Sequence, residues 1–407
     1  MLKCGLLGET LGHSYSPAIH ARLGGYAYRL YEVAPEQLGD FLQSGTFDAL
    51  NVTIPYKRAV LPYCAALSDT AEATGSVNTI VRRADGTLYG DNTDAYGFES
   101  LLRRSGIEPE GKKALVLGSG GAGATVCTVL KALGAREVVV ISRSGENNYD
   151  HLERHADADL IVNTTPLGMY PDNGRAAVDL TRFPRCEGVL DLIYNPARTA
   201  LLLQAEHLDI PRANGLWMLV AQAKRSAEVF TGKRIADGEI ERIAQALSRR
   251  MENIILIGMP GCGKSEIAKR LASALGRDCA DSDEAVRELT GRTPEEILRD
   301  DGEEAFRAVE TRALRELGKR SALVIATGGG CVTREENYPL LHQNGAIVWI
   351  RRPLAQLARK GRPLSLAGDL SELYARRAPL YARFADIVAD NDGAPDETVR
   401  IILDALA

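Results

Sequence analysis

A chain of 407 residues is long enough for two or three domains, each with its own core. Hydrophobic residues make up 45% and charged residues 25%, a globular balance, and a net charge of −5 with both signs dispersed argues against a basic nucleic-acid surface. No apolar run reaches bilayer-spanning length, the N-terminal MLKCGLLGETLGHS breaks at glycines before a signal-peptide core forms, and the seven scattered cysteines lack a CxxC pair, which predicts free thiols in a reducing cytoplasm.

Short apolar runs alternate with helical patterns throughout, which predicts α/β architecture with largely parallel sheets. Early in the chain, Ser14-Tyr15-Ser16-Pro17 sets two hydroxyls at i and i+2 before a proline, a turn able to hold a carboxylate. In the stretch 49–57, ALNVTIPYK, Asn51 and Thr53 alternate with apolar neighbours and face one side of an extended segment, and Lys57 follows the proline on a loop. GSVNT at 75–79 and GDNTD at 90–94 add amide, hydroxyl and carboxylate groups, Asn78 and Asp94 among them. Taken singly, each cluster is ordinary turn chemistry.

A strand over 112–118, KKALVLG, runs into Gly118-Ser119-Gly120-Gly121-Ala122-Gly123 and a helix over 124–133. That is the strand-to-helix setting in which G-x-G-x-x-G binds a dinucleotide. After the next strand, 137–141, NAD-binding units usually place an acid for the ribose 2′-hydroxyl. Here stands Ser142-Arg143-Ser144, a guanidinium between two hydroxyls and no acid, which suits a 2′-phosphate and predicts NADP(H).

An amphipathic helix is expected over 239–249, with Ile240, Ile243, Ala244 and Leu247 on one face. Only Arg249 to Glu252 separate it from the next strand, 254–257, so two complete proteins are joined with almost no tether. Gly258, Gly263, Lys264 and Ser265 then fill G-x-x-x-x-G-K-[ST] ahead of a helical pattern. Backbone N–H groups around Gly261 and Gly263 would cradle phosphate, Lys264 would reach the outer phosphates, and the Ser265 hydroxyl would ligate Mg²⁺, which predicts ATP or GTP binding. Cys262 inside this loop reads as a tolerated small residue. Asp281-Ser282-Asp283 reads either as a helix cap by Ser282 and Asp283 or as a metal and substrate site. Phe306, Arg307 and Glu310 share neighbouring turns of one helix, Gly328-Gly329-Gly330 follows a strand over 323–326, and Arg362 and Arg377 lie in a polar loop and the helix after it.

Over about residues 1 to 245 the chain resembles shikimate dehydrogenase. The motifs that carry the resemblance are Ser14-x-Ser16-Pro17, Asn51-Val52-Thr53-x-Pro55-x-Lys57, Val77-Asn78-Thr79, Asn92-Thr93-Asp94, Asn163-Thr164-Thr165, Asp191-x-x-Tyr194 and Gly215-x-x-Met218, the last running on to Gln222. The resemblance implies that Ser14 and Ser16 hold the substrate carboxylate, that Asn51, Thr53, Asn78, Tyr194 and Gln222 contact the rest of the substrate, and that Lys57 and Asp94 are the catalytic pair. It also implies NADP contacts from Gly118 to Ala122, Ser142 to Ser144, and Gly215. Against that family's nucleotide domain the span from Arg143 to Asp159 is short, so a helix and an edge strand are expected to be missing or reduced. About residues 252 to 407 resemble shikimate kinase. That likeness implies Asp283 as base, Arg307, Arg377 and Gly329 as shikimate contacts, Asp281 beside Mg²⁺, and Arg362 on a lid over ATP.

The expected layout is therefore a substrate-binding domain (1–94 and 220–248), a Rossmann-like NADP domain (95–219) and a P-loop kinase domain with a parallel sheet (252–407). The cofactors would be NADPH, ATP and Mg²⁺, and the partners small-molecule substrates, 3-dehydroshikimate and shikimate, with no nucleic acid, no membrane and no oligomeric state specified. Two alternatives stay open: a sensor of quinate or shikimate without catalysis, and a quinate-using dehydrogenase fused to the kinase. Pure sensing would not require Lys57, Asp94, Lys264, Ser265 and Asp283 together.

Overall fold

The computed structural model describes residues 1–12, 14–357 and 370–406. The chain divides into two compact units, one comprising Met1–Met169, Arg175–Tyr194 and Leu201–Leu247, the other Tyr170–Gly174, Asn195–Ala200 and the chain from Ser248 on.

The first unit holds two sheets. One is built from β1 (Lys3–Gly8), β2 (Ala27–Glu32), β3 (Ala49–Val52), β4 (Ala66–Leu67), β5 (Thr79–Arg82) and β6 (Leu88–Asp91), in the order β2-β1-β3-β5-β6-β4. This sheet is mixed: β1–β2, β1–β3 and β4–β6 pair parallel, whereas β5 runs antiparallel to both β3 and β6. The second comprises β7 (Lys113–Leu117), β8 (Glu137–Ile141), β9 (Leu160–Asn163), β10 (Gly188–Asp191) and β11 (Arg212–Asn214), ordered β11-β10-β9-β7-β8 with every pair parallel. Strand order reverses at β7, so the loop leaving its C-terminal end opens on a crevice suited to a ligand. Between β8 and β9 the chain forms only a 3₁₀ stretch, Tyr149–His155, and β8 ends the sheet. The short span therefore leaves out a full crossover helix and a further edge strand.

Behind both sheets lies the helix Leu216–Thr231, which packs on the helices Thr93–Ser105 and Ser16–Leu23. Its turns carry Ala221, Ala223 and Ala227, all fully buried, so the helices approach closely. Fully buried Phe98 and Leu101, 1% exposed, seal the other side.

The second unit contains β12 (Asn253–Ile257), β13 (Asp278–Asp281), β14 (Leu323–Ala326), β15 (Gly345–Arg351) and β16 (Ile387–Asp390), all parallel in the order β13-β14-β12-β15-β16. Ile254 to Ile257 are at most 3% exposed, because helices cover both faces of a central parallel strand. Each such side chain contributes roughly 1.5–3 kcal/mol of burial. The helix preceding this unit runs Gly238–Met251, beyond the expected end at Arg249, so Glu252 alone stands between helix and strand. Burial of Met251, 4% exposed, favours the longer helix. Among the described residues, no helix is long and apolar enough to cross a membrane.

Candidate active sites

The first unit contains a cavity of about 250 Å³. Ser14, Ser16, Asn51, Thr53 and Lys57 line it from the mixed sheet and its loops. Asn78, Asp94, Tyr194, Gly215 and Gln222 complete the wall. Leu192, which the sequence did not single out, joins Met218 and Leu219 in an apolar floor. Gly215, expected among the cofactor contacts, lines this cavity, and any Cβ there would come within 2.0 Å of Leu192 O.

Lys57 Nζ and Asp94 Oδ2 are 2.5 Å apart, with side chains 20% and 11% exposed. Asp94 sits in the first turn of the helix Thr93–Ser105, which Asn92 caps by accepting from Asp94 N at 3.1 Å. The Asn92 amide also donates to Ser76 O at 2.9 Å and to Thr125 Oγ1 at 3.2 Å, fixing the acid's helix to the helix Gly121–Ala132. Ser14 Oγ accepts from Ser16 N at 3.2 Å, so both serines form one turn at the cavity wall. Gln222 donates its amide to Leu219 O at 2.8 Å, which leaves its carbonyl oxygen facing Asn78.

The glycine loop after β7 adjoins this cavity. A Cβ on Gly121 would stand 3.8 Å from Lys57 Cδ. Gly118 adopts φ +112° with its Cβ position 2.8 Å from Thr164 Oγ1, and a Cβ on Gly123 would lie 2.3 Å from Gly118 O. Only glycines permit this strand-to-helix turn, whose free N–H groups fit a dinucleotide pyrophosphate. Ser119 and Gly120 are exposed on it, and Gly121 and Ala122 are half-buried. Past β8, Ser142 donates its hydroxyl to Ser144 O, closing a turn from which exposed Arg143 projects. A larger groove, about 1030 Å³, lies along Tyr96, Trp217 and Lys224, and its Arg103, Arg104 and Lys224 are paired with Glu99, Glu241, Glu228 and Asp237.

In the second unit a cavity of about 410 Å³ is lined by Gly261, Gly263, Lys264, Ser265, Asp281 and Asp283. Arg307, Glu310, Gly329 and Arg377 line it as well, and a Cβ on Gly329 would come within 2.6 Å of Pro260. Gly263 has φ +100° and a Cβ there would strike Asn391 Nδ2 at 2.6 Å, so this turn into the helix Lys264–Leu275 requires glycine. Lys264 Nζ donates to Gly258 O at 2.9 Å and Met259 O at 3.1 Å, holding an ammonium inside the loop. Ser265 Oγ donates to Asp281 Oδ2 at 3.0 Å. This hydroxyl and carboxylate pair at a phosphate loop fits Mg²⁺.

The helix Ser282–Thr290 is capped by Asp281, whose Oδ1 accepts from Asp283 N at 3.0 Å, and not by Ser282 or Asp283. Ser282 instead accepts from Gly328 N at 2.8 Å. Asp283 is therefore left to face the cavity. Protein atoms around its carboxyl, then repulsion from Asp281 and Glu310, push its pKa up to about 6, against the pull of Lys264. Arg307, with a side chain 6% exposed, pairs with Glu310 at 2.6 Å and Glu303 at 3.2 Å. Burial raises the Glu310 carboxyl above its usual range despite Arg307. Arg377 donates to Gly329 O at 3.2 Å, and Tyr381 donates to the same oxygen. Arg362, with Pro363 and Leu364, lies outside the described residues.

The two clefts define an oxidoreductase-type dinucleotide site and a P-loop phosphotransferase site on one chain. Residues 6–80 match the model of the shikimate dehydrogenase substrate binding domain, and residues 260–407 that of shikimate kinase. A shikimate dehydrogenase (NADP(+)) of Clostridium perfringens (strain SM101 / Type A) is 35% identical over 269 residues, covering 60% of this chain and 98% of that protein. Shikimate 5-dehydrogenase from Thermus thermophilus, in complex with NADP(H) and shikimate, superposes with TM-score 0.56 at 32% identity, over 60% of this chain and 99% of that one. Quinate dehydrogenase from Corynebacterium glutamicum, in complex with NAD, superposes with TM-score 0.54 at 28% identity, over 60% and 97%. The chain belongs to the shikimate dehydrogenase family over its N-terminal 60% and carries a shikimate kinase domain behind it.

Proposed function

We propose that this chain catalyses two consecutive steps: reduction of 3-dehydroshikimate by NADPH, then phosphorylation of the resulting shikimate at its 3-hydroxyl by MgATP. The observation that carries the reading is the Lys57–Asp94 pair, 2.5 Å apart in a polar cavity against a dinucleotide loop, on the same chain as a complete phosphate loop. In this reading the assigned domains are 1–94 with 220–248, 95–219 and 252–407, and the location is cytoplasmic.

NADPH, when bound, supplies the hydride. Lys57 donates a proton to the carbonyl oxygen as negative charge develops there, and Asp94 orients the ammonium. Ser14 and Ser16 bind the carboxylate, while Asn51, Thr53, Asn78 and Gln222 hold the ring hydroxyls. Arg143 grips the 2′-phosphate, which favours NADPH over NADH. In the second cleft MgATP, when bound, supplies the phosphoryl group. Asp283 takes the proton from the attacking hydroxyl; Arg307 and Arg377 clamp the carboxylate. Ser265 and Asp281 are the groups to hold the metal, and Lys264 and Arg362 neutralise charge on the transferred group.

Lys57→Ala should abolish reduction and spare phosphorylation, and Lys264→Ala the converse, each assayed on the full-length chain. A folded Lys57→Ala variant that lost both activities, or a Lys264→Ala variant with full kinase turnover, would overturn the reading.

A further inference from the structure

Behind the first cavity lies a buried polar cluster that no catalytic role accounts for. Ser226, fully buried on the helix Leu216–Thr231, is its hub. Its Oγ accepts from Asn51 Nδ2 at 2.7 Å and lies 2.9 Å from both Thr79 Oγ1 and Thr93 Oγ1. Those threonines donate onward to Asn78 Oδ1 at 3.0 and 3.1 Å, and Thr93 N donates to the same oxygen at 2.7 Å. A backbone N–H can only donate, so the Asn78 oxygen must point inward and its NH₂ toward the cavity. Asn51 is fixed in the opposite sense. Tyr28 OH donates to its Oδ1 at 2.8 Å, while its Nδ2 faces Ser226 and, at 3.4 Å, the acceptor-only carbonyl of Asn78. Both hydrogens of the Asn51 amide are directed into the protein, so toward the cavity it lines Asn51 can present only its oxygen, an acceptor that Tyr28 and buried His20 also approach.

We infer that Ser226, seconded by Tyr28, is a positioning residue that sets the hydrogen-bond polarity of the substrate cavity: Asn51 accepts from one ligand hydroxyl and Asn78 donates to another. This rests on the dehydrogenase reading above and deepens it, because it turns a set of polar contacts into a directional pattern. Gln222 adds a second acceptor: its NH₂ is held by Leu219 O, and its Oε1 accepts from Asn78 Nδ2 at a long 3.5 Å, which leaves the other Asn78 hydrogen and the second Gln222 lone pair for a ligand. A ligand with adjacent ring hydroxyls satisfies acceptor and donor together by offering one hydrogen and one lone pair. Without Ser226, Asn51 loses its shortest partner and can rotate its amide, presenting a donor where an acceptor is needed.

The test uses the full-length chain, with Ser226→Ala and Tyr28→Phe compared with wild type. Substrates are 3-dehydroshikimate and its two analogues lacking one ring hydroxyl each. The expected result is a KM for 3-dehydroshikimate raised about tenfold in both variants, with the KM for NADPH and kinase turnover within about twofold of wild type. That penalty should vanish for one of the two analogues, the one lacking the hydroxyl held by Asn51. Substrate KM unchanged in both variants, or an equal penalty on both analogues, would overturn the inference. Loss of the thermal transition of the dehydrogenase unit would mark a misfolded Ser226→Ala chain, and Tyr28→Phe, which removes one hydroxyl and keeps the ring, then decides. A wild-type chain that does not reduce 3-dehydroshikimate would overturn the dehydrogenase reading and this inference with it.

Discussion

Asp283 provides the most quantitative prediction. Its carboxyl is pushed up to about 6 by burial and by the charges of Asp281 and Glu310. A base must be ionised to accept the hydroxyl proton, so kcat/KM for shikimate should be level above pH 7 and fall through an acid limb centred near pH 6. One pH unit below the midpoint about a tenth of the groups are ionised, so activity at pH 5 should be roughly a tenth of the plateau. The stability sign follows from the same shift. The folded state binds the proton more tightly than the unfolded chain, so the group's stability cost sets in as the pH rises past the ordinary carboxylate range and is complete above about 6. That cost fades as the pH falls toward the ordinary carboxylate range, and water in the open cleft screens part of it. Asp283→Asn should therefore abolish phosphorylation yet raise the melting temperature at pH 8, with the gain shrinking between pH 6 and pH 4. The assay is a pH series of kinase kcat/KM at limiting MgATP, so that the cleft without metal or nucleotide sets the titration, paired with nucleotide-free thermal melts of both chains. A profile level down to pH 5, or an Asp283→Asn chain with near-wild-type turnover, would refute the assignment of Asp283 as base.

Two further outcomes are expected. Gly330→Ala would place a Cβ 2.2 Å from Arg307 Nη2, so the guanidinium must shift; KM for shikimate in the kinase assay should rise about tenfold or more, with reduction unchanged. Arg143→Ala should raise the KM for NADPH by about tenfold to a hundredfold while changing that for NADH little, since the lost charge-assisted bonds reach only the 2′-phosphate; equal effects on both cofactors would remove Arg143 from that role.

Much of the architecture was legible because it is local. The strands over 137–141 and 323–326 lie where their β-branched runs put them, and both glycine motifs fall between a strand and a helix. Alternation of strands and helices suggested parallel sheets, and it misled over 79–91. There Asp85-Gly86 turns the chain back, with Gly86 at φ +87° and Arg83 N donating to Thr87 O at 2.8 Å, so β5 and β6 form an antiparallel hairpin. A D-G pair between two apolar runs was the available signal. At 281–283 the sequence suggested Ser282 and Asp283 as the cap, whereas the pairing of β13 with β14 runs through Asp281 and makes that residue the cap. The substrate cavity's motif residues were visible as short polar clusters. Ser226 and Tyr28 were not, because they reach Asn51 from 175 and 23 residues away and nothing in their own neighbourhoods sets them apart.

The central claim is that one chain carries both activities. It is tested most directly by incubating the purified full-length protein, with no other enzyme, with 3-dehydroshikimate, NADPH and MgATP, and following NADPH loss together with shikimate 3-phosphate. Both should proceed, phosphate product should require NADPH, and Lys264→Ala should stop the reaction at shikimate. NADPH oxidation without any phosphorylated product, or phosphorylation of added shikimate by a chain that never oxidises NADPH, would contradict it.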